Sequence, residues 1–208
     1  MTNTGESIII YAGESSTPSG DKPLDYFSSR EYRDKFKELG ENPFVTKSMY
    51  ECARDAINAN YNTDGEDAYL INSFWGTHSN PAHGEYLSAD CEVPDKAKNG
   101  DYILVHNHPN NTPLSIGDVI AASDQAALKK MISVSHDGKI YYLEIGNGMR
   151  LSKYGITQKA QNNNTKEWRD FEIRVWNKYC KSCNGNQYEA LKLMNETEGF
   201  GWKVGVIE

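Results

Sequence analysis

Residues 102–118 read Tyr-Ile-Leu-Val-His-Asn-His-Pro-Asn-Asn-Thr-Pro-Leu-Ser-Ile-Gly-Asp, and the rest of the chain is best read outward from this stretch. Residues 101–105 have strand character and run straight into His106-Asn107-His108. Side chains alternate along a strand with a period of two, so His106 and His108 share a face. Pro109 breaks the strand, and Asn110 and Asn111 suit the turn after it, because their side chains bond locally and tolerate left-handed backbone. Ser115-x-x-Asp118 has the spacing of a helix N-terminus: Ser115 can accept from the backbone N–H of residue 118, and Asp118 falls in the first turn. Asp118 is thereby held near the two histidines as a third, anionic ligand. A His, His, Asp set leaves one position of a tetrahedral zinc ion open to water, the catalytic rather than the structural arrangement. Zinc lowers the pKa of such a water to about 7, and a nearby carboxylate passes its proton to a leaving amine. The blander alternative is a pair of surface histidines beside an ordinary helix cap.

Working outward, residues 46–60 carry Met49, Cys52, Ala53, Ala56 and Ile57 at helical spacing, with Ser48 as the cap and Glu51 at its third position. A turn signal at 62–65 precedes a strand-like run over 66–72, and a second strand is expected over 85–91. The pattern from 115 to 130 is helical. Residues 131–134 and 139–145 read as a hairpin across His136-Asp137-Gly138, with His136 expected on the surface. The order predicts an α/β (α+β) fold, a mixed β-sheet flanked by helices.

Three segments follow. Residues 1–45 form an N-terminal extension: a strand-sized Ile8-Ile9-Ile10-Tyr11-Ala12, a loop over 13–23, and a charged amphipathic helix over 26–39 capped by Ser28 or Ser29 and stopped by Gly40 and Pro43. Residues 46–157 form the core. Residues 158–208 form a helical C-terminal segment in which Trp168, Phe171, Ile173, Val175, Trp176 and Tyr179 make a packing stripe, with a break at Asn184-Gly185 and a second helix over 188–194. Cys180-x-x-Cys183 has the spacing of half a zinc knuckle or a redox pair, but no second pair follows it, and the four cysteines read as reduced thiols.

The composition narrows the classes of function. With 208 residues, the chain has room for one domain with elaborations, or two small ones. Its net charge of −7 argues against binding nucleic acid by phosphate neutralisation. No apolar run approaches the roughly 20 residues of a membrane span, and residues 1–30 lack an export signal, so the sequence predicts a cytoplasmic protein with no membrane partner.

His106-x-His108-Pro109, five residues, then Ser115-x-x-Asp118 resembles the signature of the JAMM (MPN-plus) zinc metalloproteases. The literal His-Asn-His-Pro is similar to the prokaryotic branches, among them RadC-like proteins and phage JAB domains. The likeness covers about 90 residues, from near Ser48 to near Ile145, and departs from the eukaryotic deubiquitinating members in a loop one residue shorter between proline and serine. It implies a deaminase-like core, one zinc ion held by His106, His108 and Asp118, Ser115 as the residue that orients or stabilises an oxyanion, and hydrolysis of a peptide or isopeptide bond in a protein substrate. An upstream glutamate acts as general base in that family, a place matched by Glu66 before Ala68-Tyr69-Leu70-Ile71, with Glu85 in reserve. His78 and His83 are loop residues that either line a cleft or are merely solvated. The competing expectation is a RadC-like accessory or binding domain without protease activity.

Overall fold

Alternating apolar residues on four of the strands build two hydrophobic layers, one on each face of a single sheet. Ala68, Leu70, Leu104, Met131, Tyr141 and Leu143 belong to one buried cluster, and Tyr69, Ile71, Ile103, Val105, Ile132, Val134 and Ile140 belong to the other. A strand buried on both faces needs helices on both sides, and the chain supplies them. The computed structural model describes residues 7–9, 21–61, 63–84, 89–146 and 148–208. In chain order these form strand β1 (Ser7–Ile9), helices α1 (Arg30–Lys35) and α2 (Pro43–Asn60), and strands β2 (Glu66–Asn72), β3 (Ala82–Gly84), β4 (Asp90–Glu92) and β5 (Tyr102–His108). Helix α3 (Ile116–Asp124) and strands β6 (Leu128–Ser135) and β7 (Ile140–Glu144) follow. The chain then runs through helices α4 (Gln158–Asn162), α5 (Lys166–Phe171), α6 (Asn177–Ser182) and α7 (Gln187–Glu198) to strand β8 (Lys203–Ile207).

The main sheet has the order β3-β2-β5-β6-β7-β8, and a separate ribbon pairs β1 with β4. Only β5 and β6 run parallel, joined by the crossover through α3; every other pairing is antiparallel. The fold is therefore the expected α+β type with a mixed sheet. Helix α2 and the N-terminal aromatics Phe27, Tyr32 and Phe36 cover one face, and α3 with the C-terminal helices covers the other.

Several boundaries differ from the sequence reading, each for a local reason. Helix α2 starts at Pro43, because the Asn42 side chain accepts from Phe44 N and Val45 N and proline lacks the N–H that would go unbonded there. Ser48 is therefore not a cap; it lies inside the helix and donates to Gly76 O at 2.5 Å. The 26–39 stretch is broken into α1 and two 3-10 turns, with Ser29 as the cap of α1 and Gly40 closing the stretch at φ 73°. Helix α3 stops at Asp124, and residues 128–130 belong to β6, where Lys130 is buried.

Of the strand expected over 85–91, residues 90 and 91 lie in β4, and residues 85–88, including the reserve base Glu85, lie outside the described residues; β3 precedes them. His136 is 1% exposed rather than on the surface, stacked on the Tyr61 ring at 5.8 Å. The C-terminal segment is not all helical: β8 closes one edge of the sheet. Trp168, Phe171, Trp176 and Tyr179 are buried as expected, but Ile173 is exposed. A π-helical turn over Glu172–Trp176 rotates the stripe away from simple 3.6-residue spacing. All four cysteines are free thiols, and no helix among the described residues is long and apolar enough to cross a membrane.

Candidate metal centre

Glu66, Ala68, Leu104, His106 and His108 occupy alternate positions on the neighbouring strands β2 and β5, where Ala68 pairs with His106 and Leu70 with Leu104. That register puts Glu66, His106 and His108 on the face covered by α3, at the end of β5 where the chain leaves for that helix. The first turn of α3 supplies Asp118. Its carboxylate is fixed by a reciprocal capping box: Asp118 N donates to Ser115 Oγ (3.1 Å), and Ser115 N and Oγ donate to Asp118 Oδ2 at 2.6 and 2.9 Å.

The donor atoms converge. His106 Nε2 and His108 Nε2 are 2.9 Å apart, His108 Nε2 is 3.5 Å from Asp118 Oδ2, and His106 Nε2 is 3.7 Å from Asp118 Oδ1. Ligands bound at the usual zinc distances of 2.0–2.1 Å in a tetrahedron stand about 3.3 Å from one another. These three separations bracket that value, and the buried group formed by His106, His108 and Asp118 can hold a metal ion. The donor chemistry fits as well. His108 Nδ1 donates to Thr112 O at 2.9 Å, which leaves the lone pair on Nε2, facing the other two ligands. Burial, reinforced for His106 by the charge of His108, holds the His106 imidazole well below its ordinary pKa. Burial also takes His108 down to about 4, so both rings are neutral, the form that binds a cation.

Glu66 completes the arrangement. It is fully buried, its Oε1 is 3.9 Å from His108 Nε2, and neither carboxylate oxygen has a hydrogen-bond partner among the described residues. Burial, with the Asp118 charge added, pushes its pKa up to about 9. A buried carboxyl with two unused oxygens is costly unless something fills the space before it, and a cation or water at the ligand cluster would do so. The structure thus brings together all five residues singled out in the sequence, Glu66, His106, His108, Ser115 and Asp118. Ser115 serves as the clamp on Asp118.

Two participants were not legible beforehand. Thr112 acts through its carbonyl, and a backbone acceptor carries no side-chain signal. Asn107 carries no motif signal of its own, yet it is fully buried on the opposite face. Its Oδ1 accepts from Asp67 N (2.8 Å) and its Nδ2 donates to Gly65 O (3.1 Å), tying the tip of β5 to the start of β2 beside Glu66. Strand alternation was the available signal, since a polar residue between two inward-facing histidines must find partners on the other side. His78 and His83 are exposed; His83 Nδ1 meets Asp67 Oδ1 at 2.7 Å on that far face, away from the ligand cluster. Cys180 and Cys183 take no part in the centre. No known protein-family model, curated protein or solved structure matches this chain.

Proposed function

We propose that the chain is a zinc-dependent metallopeptidase of the JAMM type that hydrolyses a peptide or isopeptide bond in a protein substrate. The observation that carries this reading is the buried Glu66 carboxylate, unbonded and 3.9 Å from His108 Nε2, beside three converging ligand atoms. Zinc, when bound, supplies Lewis acidity and a nucleophilic water at neutral pH. His106, His108 and Asp118 hold it; Thr112 O and Ser115 keep His108 and Asp118 in register. Without a cation beside it, Glu66, whose pKa burial pushes up to about 9, is protonated at neutral pH; the charge of a bound cation would lower that pKa and leave a carboxylate able to take a proton from water and pass it to the leaving amine. Ser115 is a positioning residue here, because its hydroxyl is directed at Asp118 Oδ2. The substrate partner is a protein or peptide, and the net charge of −7 disfavours nucleic acid.

Elemental analysis of purified wild type beside His108→Ala and Glu66→Gln tests this directly. The expected result is about one zinc per chain in wild type and in Glu66→Gln, loss of zinc in His108→Ala, and hydrolysis of a peptide and isopeptide panel by wild type alone. Wild type without zinc after zinc is offered, or full activity in Glu66→Gln, would overturn it. A second reading, a RadC-like binding domain in which the metal only braces the fold, is favoured by the complete burial of all four groups. It predicts zinc loss and destabilisation in His108→Ala with no hydrolysis by any form.

A further inference from the structure

A cleft of about 790 Å³ opens at the same end of the sheet as the ligand cluster. It runs from Val206 at the end of β8, past Tyr141 on β7, to Thr112 and Pro113 in the loop after β5, and is roofed by the first turn of α7 and the turn before it. Thr112 is the residue whose carbonyl fixes the metal-facing tautomer of His108. The cleft therefore shares one residue, Thr112, with the surroundings of the candidate metal centre.

Its lining has a definite chemistry. The ring centroids of Tyr141 and Tyr188 are 5.7 Å apart. Asn184, Asn186 and Gln187 contribute amides, and Gln187 Oε1 is buried with no hydrogen-bond partner among the described residues. The charged side chains of the lining balance, Lys139 and Lys192 against Glu189 and Glu208; Lys139 also pairs with Asp137 at 2.9 Å outside the cleft, and Lys192 lies 3.7 Å from Glu189 and over the Tyr188 ring. A wall of amides, two tyrosines and equal numbers of lysines and glutamates matches a ligand rich in amide N–H and C=O groups rather than an ion. Adjacent strands stand about 4.8 Å apart, so the path from β8 to β5 is about 14 Å, the reach of four or five residues of extended chain.

We propose that this cleft binds an extended, uncharged segment of a polypeptide substrate and leads it to the metal centre, with Tyr188 and Gln187 as the residues that select it. The inference deepens the peptidase reading and rests on it for the reaction, while the docking itself needs no metal. It is tested with Glu66→Gln protein, zinc-loaded and EDTA-stripped, titrated with a fluorescein-labelled pool of randomised uncharged decapeptides, with backbone amide NMR shifts recorded on the same samples. Binding by both forms is expected, with shifts at 112, 141, 184–188 and 206, and about ten-fold weaker binding in a Tyr188→Ala partner. In active protein, Tyr188→Ala should raise KM about ten-fold and leave kcat within about two-fold.

Failure of binding, shifts confined to other residues, or shifts there on adding a chitin oligosaccharide but not peptide would overturn the inference. Because the shift map is made on a protein with an intact cleft, a Tyr188→Ala chain that does not fold leaves the test standing. Peptide binding in the cleft without hydrolysis by zinc-loaded wild type sinks the peptidase reading alone. Hydrolysis with an unchanged KM in Tyr188→Ala sinks the cleft alone.

Discussion

Asn107 sits between the two candidate ligand histidines and faces the other way, and its amide does what a ladder bond cannot. Asn60 Nδ2 (3.4 Å), Asp67 N and the carbonyl of Gly65 all meet it. Removing the amide leaves the buried Asp67 N–H and the half-buried Gly65 carbonyl without this partner, the buried one costing about 1–3 kcal/mol. Asn107→Ala is therefore expected to lower unfolding stability by about 1–3 kcal/mol in urea titration and to loosen the start of β2 that carries Glu66. If the peptidase reading holds, its activity should fall at least ten-fold with zinc still bound; a variant with unchanged urea midpoint would show that the bracket contributes nothing.

At the scale of elements, the turn after β2 is fastened to the N-terminus of α2. Asn42 Nδ2 donates to Phe74 O at 3.0 Å, Ser48 Oγ donates to Gly76 O, and Gly76 has φ 74°. A Cβ on Gly76 would meet the Phe44 carbonyl carbon and oxygen at 2.8 Å, which are backbone atoms that cannot swing aside. The same fastening holds Phe74 and Trp75 at 66% and 71% exposure. Gly76→Ala should cost about 2 kcal/mol, read as a lower melting temperature, from left-handed strain plus the clash. If the zinc reading holds, metal content should be unchanged, since the turn lies at the opposite end of β2 from Glu66. Loss of metal in that variant would mean that the two ends of the strand are coupled.

At the scale of the whole molecule, the N-terminal extension is tied to the sheet by a buried ion pair. Lys130 Nζ reaches Glu41 Oε1 and Leu39 O at 2.7 Å each, with Lys129 on the other Glu41 oxygen at 2.7 Å. Burial works to raise the Glu41 pKa, but hydrogen bonds from Lys129 and Lys130 outweigh it and hold the carboxyl below its ordinary value. The unfolded chain then binds more protons than the folded one, so this contribution is fully present above the ordinary value of 4.5 and is lost as pH falls through the folded value. Glu41→Gln leaves buried Lys130 with Glu144, at 3.6 Å, as its remaining carboxylate, and is expected to cost about 2 kcal/mol at pH 7, less than a fully unpaired buried charge. Urea titrations at pH 7 and pH 3 should show the wild-type advantage shrinking at the lower pH; an equal gap at both would exclude the pair as its source.

Much of this was legible in one dimension, because it depends on near neighbours in the chain. The period of two placed His106 and His108 on one face, and the Ser115-x-x-Asp118 spacing placed a carboxylate at the start of a helix; both are set within a few residues by backbone geometry. The strand at 66–72 and the Asp137-Gly138 turn were legible for the same reason. What depended on distant partners was not. Ser48 looks like a cap until Gly76 arrives beside it, and Lys130 reads as the end of a helical stretch until β6 takes it and Glu41 covers it. Residues 203–207 become a strand because β7 offers them an unpaired edge. The same holds for the centre itself. The sequence by itself determined which side chains could become ligands, whereas the pairing of β2 with β5 decided that Glu66 stands beside them. Strand register is set by layers packed from both ends of the chain, and no local spacing encodes it.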